Sequence, residues 1–287
     1  MLLRENMMSE DSFKRYTSRI NLFVKWLKKE KIYNNDISLI TKNIITKYLN
    51  EVLMKSSARN RNNTRTDLAS LFQLFQNNEI IAENFVKTIP KIASKPKRNI
   101  TYKPEQVADI FDYVAEKDPH LMLFIKFIAY GFLRPVEVCR LKIEDVDVKN
   151  KRLYVKAKNK ISKIKIIPEI LLKELPNTEN KNSTICYFGR YEVGVDWEAS
   201  PSSKRGDFTT RFKKIKDHFG LSNNHGLYSF SHTYITKLYR KLRETKTTFE
   251  AKSHLMMITG HETMDALNKY LRDIDAELPE DFSKLFD

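Results

Sequence analysis

This sequence predicts a mainly α protein in two domains, the second carrying a small antiparallel β-sheet, on three observations. The chain is 287 residues long, which at roughly 100–200 residues per domain is enough for two. Apolar residues recur at helical spacing along most of it, and 17 Phe and 13 Tyr within an apolar share of 41% supply the material for real cores. Two short runs, RLYVKA (152–157) and KIKIIPE (163–169), instead alternate β-branched residues with lysines, as half-buried strands do. With only 7 Gly and 9 Pro, collagen-like, propeller and glycine-rich nucleotide-loop architectures are disfavoured.

The first domain is expected over residues 1–92. Phe13, Tyr16, Ile20, Phe23 and Leu27 form one stripe of a helix starting near Ser12, with Asp11 or Ser12 as its cap. A second helix fits Thr41 to Met54, with Ile44, Ile45, Tyr48, Leu49, Val52 and Leu53 turned inward. A third begins near Ser57 and carries Leu68, Leu71, Phe72 and Phe75. A short fourth runs from about Ala82 through Phe85, Val86 and Ile89 to Pro90. The stretch KIASKPKRNITYKP that follows is basic, holds two prolines and has no sustained period, so residues 93–103 read as an inter-domain linker.

The second domain is expected over 104–287. PEQVADIFDYVAE is a helix with Pro104 in its first turn. LMLFIKFIAYGFL (121–133) is apolar nearly all round, hence a buried helix, with Gly131 able to end it. RPVEVCRL opens another short helix, and the two alternating runs make a hairpin with one wet, lysine-rich face. Helices resume at about 168–175, 207–219, 231–243 and 262–272, while 176–206 is the least periodic part. Phe282, Leu285 and Phe286 suit a short terminal amphipathic helix.

Charge narrows the partners. Lys and Arg number 51 against 36 Asp and Glu, a net +15 that favours a polyanion and most simply nucleic acid. Cys139 and Cys186 are the only cysteines, which excludes a disulfide scaffold and an all-cysteine zinc site and suits a reducing compartment. No window approaches about 18 consecutive apolar residues, and the N-terminus is too acidic for a signal peptide. A soluble cytoplasmic protein with no membrane partner is the expectation. His225, His232, His254 and His261 do not follow HExxH, and no clustered carboxylates offer a metal site. No metal and no cofactor are expected, which leaves Arg, Lys, His and Tyr to act on a phosphate.

Those residue types follow one another in a telling order. AYGFLRPVEVCRLKIEDVDV precedes the lysine-rich hairpin; HGLYSFSHTYIT and ITGHETMDALNKYLRD follow it. Glu137 lies three residues after Arg134, on the same helical face. Gly260 and His261 are followed nine residues later by Tyr270. In these boxes the chain resembles the tyrosine recombinase, or phage integrase, family of site-specific DNA recombinases of mobile elements. The resemblance implies that family's fold: a helical core-binding domain and a mainly α catalytic domain with a small sheet. It implies that Arg134 clamps the scissile phosphate, that Tyr270 is the nucleophile forming a 3′-phosphotyrosyl bond, and that His261 donates a hydrogen bond to a phosphate oxygen. The family's hairpin lysine, which protonates the leaving 5′-oxygen, is matched by Lys160, or by Lys158 with a longer turn. Residues 12–92 resemble the core-binding domain, whose third helix would present Arg59, Asn60, Arg61, Asn63 and Arg65 to double-stranded DNA. Assembly as a dimer or tetramer on DNA is implied, with the C-terminal helix passed to a neighbour.

The chain departs from the family in one box. Tyr228 fills the first position of the pattern His/Tyr/Lys-x-x-Arg-His-Thr, but Ser231 stands where the second phosphate-clamping arginine belongs. One short neutral hydroxyl does not replace a five-donor cation, and losing one donor to a developing oxyanion costs roughly 10²–10³ in rate. Impaired strand transfer is therefore expected. Three origins for Ser231 stay open: a substitution made to trap a DNA complex, a natural variant recruiting another cation, or a degenerate relative that only binds DNA. Two rivals accompany the main reading: a non-catalytic DNA-binding protein on the same fold, and a type IB topoisomerase-like enzyme.

Overall fold

The computed structural model describes residues 8, 10–32, 36–93, 99–156 and 163–271. The chain divides into two compact units, Met1–Pro96 and Lys97–Asp287.

In the first unit, α1 (Glu10–Lys29), α2 (Lys42–Lys55) and α3 (Ala58–Asn77) surround one core, closed by a 3₁₀ turn at Phe85–Thr88. The helix starts follow local chemistry. The hydroxyl of Thr41 accepts from the Ile44 amide and that of Ser57 from the Asn60 amide, each satisfying an orphan N–H of a first turn. α1 begins at Glu10, so Ser12 lies inside its first turn rather than capping it. The predicted stripe supplies Tyr16, Ile20, Phe23 and Leu27 to the core, where they meet Ile45, Leu49, Leu68 and Phe72. The expected fourth helix is the 3₁₀ turn alone, anchored by buried Val86 and Ile89.

The second unit is built on α5 (Pro119–Ala129), whose Leu121, Phe124, Ile125, Phe127 and Ile128 are all fully buried, as an apolar helix requires. α4 (Pro104–Lys117), α8 (Pro201–His218) and α9 (Leu227–Arg243) pack around the same core. Tyr102 belongs to that core: its amide donates to the Thr233 hydroxyl and its own hydroxyl to the Gly226 carbonyl. The expected linker therefore ends early on this side, while its residues 94–98 lie outside the described set. A three-stranded antiparallel sheet, β1 (Val146–Asp147), β2 (Arg152–Val155) and β3 (Lys163–Ile166), runs in that order. Leu153 pairs with Lys165 and Val155 with Lys163.

A smaller core joins α9 to α10 (Thr248–Thr259) and α11 (Met264–Asn268) through Ile235, Tyr239, Ala251, Leu255 and Leu267. α6 (Pro135–Val138) and α7 (Glu169–Leu172) are single turns beginning just after Arg134 and Pro168. α10 was not expected from the sequence, because only Ala251, Leu255 and Thr259 of its turns are buried while Phe249 and Met257 are exposed. The expected helix at 262–272 is the shorter α11, and Tyr270 follows it in a turn. Among the described residues no helix is long and apolar enough to cross a membrane.

Candidate active site

Five segments of the second unit converge on a cavity of about 40 Å³, lined by Arg134, Glu137, Lys163, Lys165, Tyr228, Ser231, Thr259, His261 and Tyr270, among others. That is room for about one water molecule.

Arg134 is delivered by a tight turn after α5. A Cβ on Gly131 would approach the Phe127 carbonyl oxygen to 2.6 Å, so only glycine fits there, and Phe132 adopts a left-handed backbone with φ 51°. Glu137 grips Arg134 twice: one carboxylate oxygen accepts from its amide and the other from its guanidinium, each at 2.8 Å. Burial works against the Arg134 charge, but Tyr228 and Glu137, then Tyr270, outweigh it, and the guanidinium is held above its ordinary value.

β3 contributes two ammonium groups. The sequence suggested a solvent-facing lysine row, but the structure turns the strand over. Ile164 and Ile166 are 62% and 77% exposed, whereas Lys163 and Lys165 point at the site. The reason is a set of carbonyls with no helical partner. Lys165 donates to the carbonyls of Gly131 (2.6 Å), Phe132 (3.1 Å) and Thr259 (3.1 Å), using the three N–H bonds an ammonium has. Lys163 donates to the Gly260 carbonyl at 3.1 Å and pairs with Glu262 at 2.9 Å. Together they cap the C-terminal end of α10, where cations are favoured. Burial, with help from Arg134 and Lys163, pushes the Lys165 ammonium down to about 7, although Glu137 opposes it.

α10 ends at Gly260, whose φ of 74° turns the chain sharply and lets both Gly260 and His261 donate to the Met256 carbonyl. His261 enters the cavity from this turn. Its Nδ1 lies 2.6 Å from the Thr259 hydroxyl. Burial, then Arg134, Lys165 and Lys163, push the imidazole down to about 4, against a smaller pull from Glu137.

Tyr270 follows α11 and is 9% exposed. Its hydroxyl is hydrogen-bonded to that of Tyr228 on α9. The His232 ring stacks on it at 4.5 Å and 21°, and the His261 ring meets it at 4.5 Å and 65°. Burial, then Tyr270, raises the Tyr228 hydroxyl well above its ordinary range. Ser231, one turn along α9 from Tyr228, is 1% exposed and lines the same cavity.

The structure therefore brings together Arg134, Tyr228, Ser231, His261 and Tyr270. Lys158 and Lys160 lie outside the described residues. Lys163, Lys165 and Thr259 were missed by the sequence reading. The two-residue alternation along β3 marked the lysines as sharing a face, but the sequence reading placed that face outward. Among the described residues no three His, Cys, Asp or Glu side chains gather as metal ligands would.

The proposed DNA-facing residues of the first unit divide. Arg61 is 4% exposed and donates to the Pro90 carbonyl at 2.6 Å. Arg65 donates to the carbonyls of Ile89 and Lys87. These two guanidiniums fasten the 85–92 segment to α3; Arg61 is buried in doing so, while Arg65 stays partly exposed. Arg59 and Asn63 are exposed, and Asn60 donates to the Ser56 hydroxyl.

Residues 101–277 match the phage integrase family. No curated protein matches the chain. Among solved structures, a lambda integrase dimer bound to a COC′ core site is similar at a TM-score of 0.73 and 16% identity, over 97% of this chain and 76% of that one. A lambda integrase tetramer bound to a Holliday junction gives 0.67 and 16%, over 91% and 74%. The Tn1549 transposon integrase in complex with transposon right end DNA gives 0.63 and 13%, over 94% and 92%. At these identities the likeness establishes the fold.

Proposed function

The chain belongs to the phage integrase family, and from that premise we propose that it cuts and rejoins double-stranded DNA through a 3′-phosphotyrosine at Tyr270. The observation that carries this reading is the gathering of Arg134, His261 and Tyr270 around one cavity. In the proposed reaction the Arg134 guanidinium, squared up by Glu137, holds two non-bridging oxygens of the scissile phosphate. The Tyr270 oxygen attacks phosphorus and releases its phenolic proton to solvent, the P–O5′ bond breaks, and a hairpin ammonium, Lys160 or Lys158, gives a proton to the leaving oxygen. Rejoining is the reverse, so the phosphodiester energy is conserved in the protein–DNA bond and no nucleotide is consumed.

The first unit is proposed to hold the duplex, with Arg59 and Asn63 on its exposed surface. Assembly on DNA is supported by the DNA-bound dimer and tetramer of lambda integrase. Its proposed vehicle is the C-terminal segment with Phe282, Leu285 and Phe286, which lies outside the described residues.

Ser231 favours a second reading, a protein that binds DNA on this fold without cutting it. One experiment separates them. A pool of nicked duplexes with randomised sequence around the nick is incubated with the chain as given, with Ser231→Arg, and with Ser231→Arg combined with Tyr270→Phe. Covalent adducts are then resolved by denaturing electrophoresis. Strand transfer predicts an adduct that Ser231→Arg increases and Tyr270→Phe abolishes; binding without any adduct in the arginine variant favours the second reading. Relaxation of supercoiled plasmid by the chain, with no sequence requirement, would instead support the topoisomerase-like alternative.

A further inference from the structure

The hydrogen bonds around His261 determine where its proton is. The Thr259 hydroxyl has one hydrogen and two close partners: the Leu255 carbonyl at 2.7 Å and His261 Nδ1 at 2.6 Å. A carbonyl oxygen only accepts, so the hydroxyl hydrogen goes to Leu255. The Thr259 oxygen is then an acceptor, and Nδ1 must carry the imidazole proton. In the neutral ring this leaves Nε2, on the far side from Thr259, with a lone pair. Neutrality is enforced by the surroundings. Arg134 from the turn after α5 and Lys163 and Lys165 from β3 face the ring with positive charge, against Glu137 from α6, with Glu262 tied to Lys163 and the phenols of Tyr228 and Tyr270 completing the wall.

A lone pair repels a phosphate oxygen. An imidazole that keeps its Nδ1–H bond to Thr259 holds a phosphodiester only after gaining a second proton. The phosphodiester brings the negative charge that makes the gain favourable, because a nearby anion raises an imidazole's proton affinity.

We propose that Thr259 is a positioning residue for His261, and that a phosphodiester entering this cavity takes up one proton from solvent at Nε2 and is held by the resulting imidazolium. No bond is made or broken in this step other than the N–H. The inference rests on the reading of the cavity as a phosphodiester site, but not on strand cleavage.

Two measurements on the full chain test it. Histidine nitrogen NMR of the free protein at pH 7 should show His261, identified by its loss in His261→Gln, as the neutral Nδ1–H form. Thr259→Val should shift it toward the Nε2–H form, and Thr259→Ser should restore it. Second, binding of a nicked duplex of arbitrary sequence is followed by calorimetry at pH 5.5 in buffers of different ionisation heat. The chain should take up about one proton more than His261→Gln does, and its affinity should rise by up to about tenfold per unit fall in pH where that uptake occurs. An Nε2–H ring in the free protein, or equal uptake in His261→Gln, overturns the inference. Uptake without any covalent adduct upholds it while overturning strand transfer; an adduct without uptake does the opposite.

Discussion

Single side chains decide how much chemistry this site can perform. Ser231 is nearly inaccessible and borders a cavity of about 40 Å³, so a guanidinium at 231 enters a crowded site. Ser231→Arg should therefore raise the rate of adduct formation roughly 10²-fold or more while lowering stability by about 1–3 kcal/mol from overpacking. Timed quenching and urea denaturation measure the two effects. The arginines of α3 make a complementary case. Arg61→Ala should destabilise the first unit by about 1–3 kcal/mol, because it leaves the Pro90 carbonyl without its partner. Arg59→Ala should leave stability within about 0.5 kcal/mol and reduce the salt dependence of DNA affinity by about one unit of slope. Equal behaviour of the two variants in both assays would contradict this division. Sequence could not separate Arg61 from Arg59, because the partner of Arg61 is a backbone carbonyl that only the folded unit brings close.

At the level of elements, the outcome turns on where backbone groups lack partners. β3 turns its lysines toward the site and exposes its isoleucines because the carbonyls of 131, 132, 259 and 260 need donors. Ile166→Thr should accordingly be tolerated within about 0.5 kcal/mol, whereas Lys165→Met should loosen both the Arg134 turn and the end of α10. The same lysine gives a pH signature. Its folded value of about 7 lies below the unfolded value of about 10.4, so between those limits the unfolded chain binds more protons and stability rises with pH. Urea midpoints at pH 7, 8.5 and 10 should climb more steeply for the chain as given than for Lys165→Met. Gly260→Ala should cost about 1–2 kcal/mol from its left-handed backbone, since the added methyl meets only the Lys165 side chain, at 3.8 Å. Helices with a full apolar stripe, such as α1 and α5, were legible in the sequence. α10 was not, because its buried set is narrow and it displays Phe249 and Met257 to solvent.

For the molecule as a whole, the sequence carried the class and the order of the reacting groups further than their surroundings. The spacing from Arg134 to Glu137 could be read directly because it lies within one turn, whereas the interval from Gly260-His261 to Tyr270 was read through the resemblance to the family. The lysine contacts of β3 and the phenol pair join residues from separate elements, and no spacing rule reaches that far. The pairing of the two tyrosine hydroxyls bears on how such a protein lives among kilobases of irrelevant DNA. A chain with net charge +15 will meet phosphates constantly. The Tyr270 hydroxyl, the proposed nucleophile, is hydrogen-bonded to that of Tyr228 beside a small cavity. On the proposed reading, a phosphodiester reaches that oxygen only by separating two phenols, so a passing contact with DNA would leave the strand uncut.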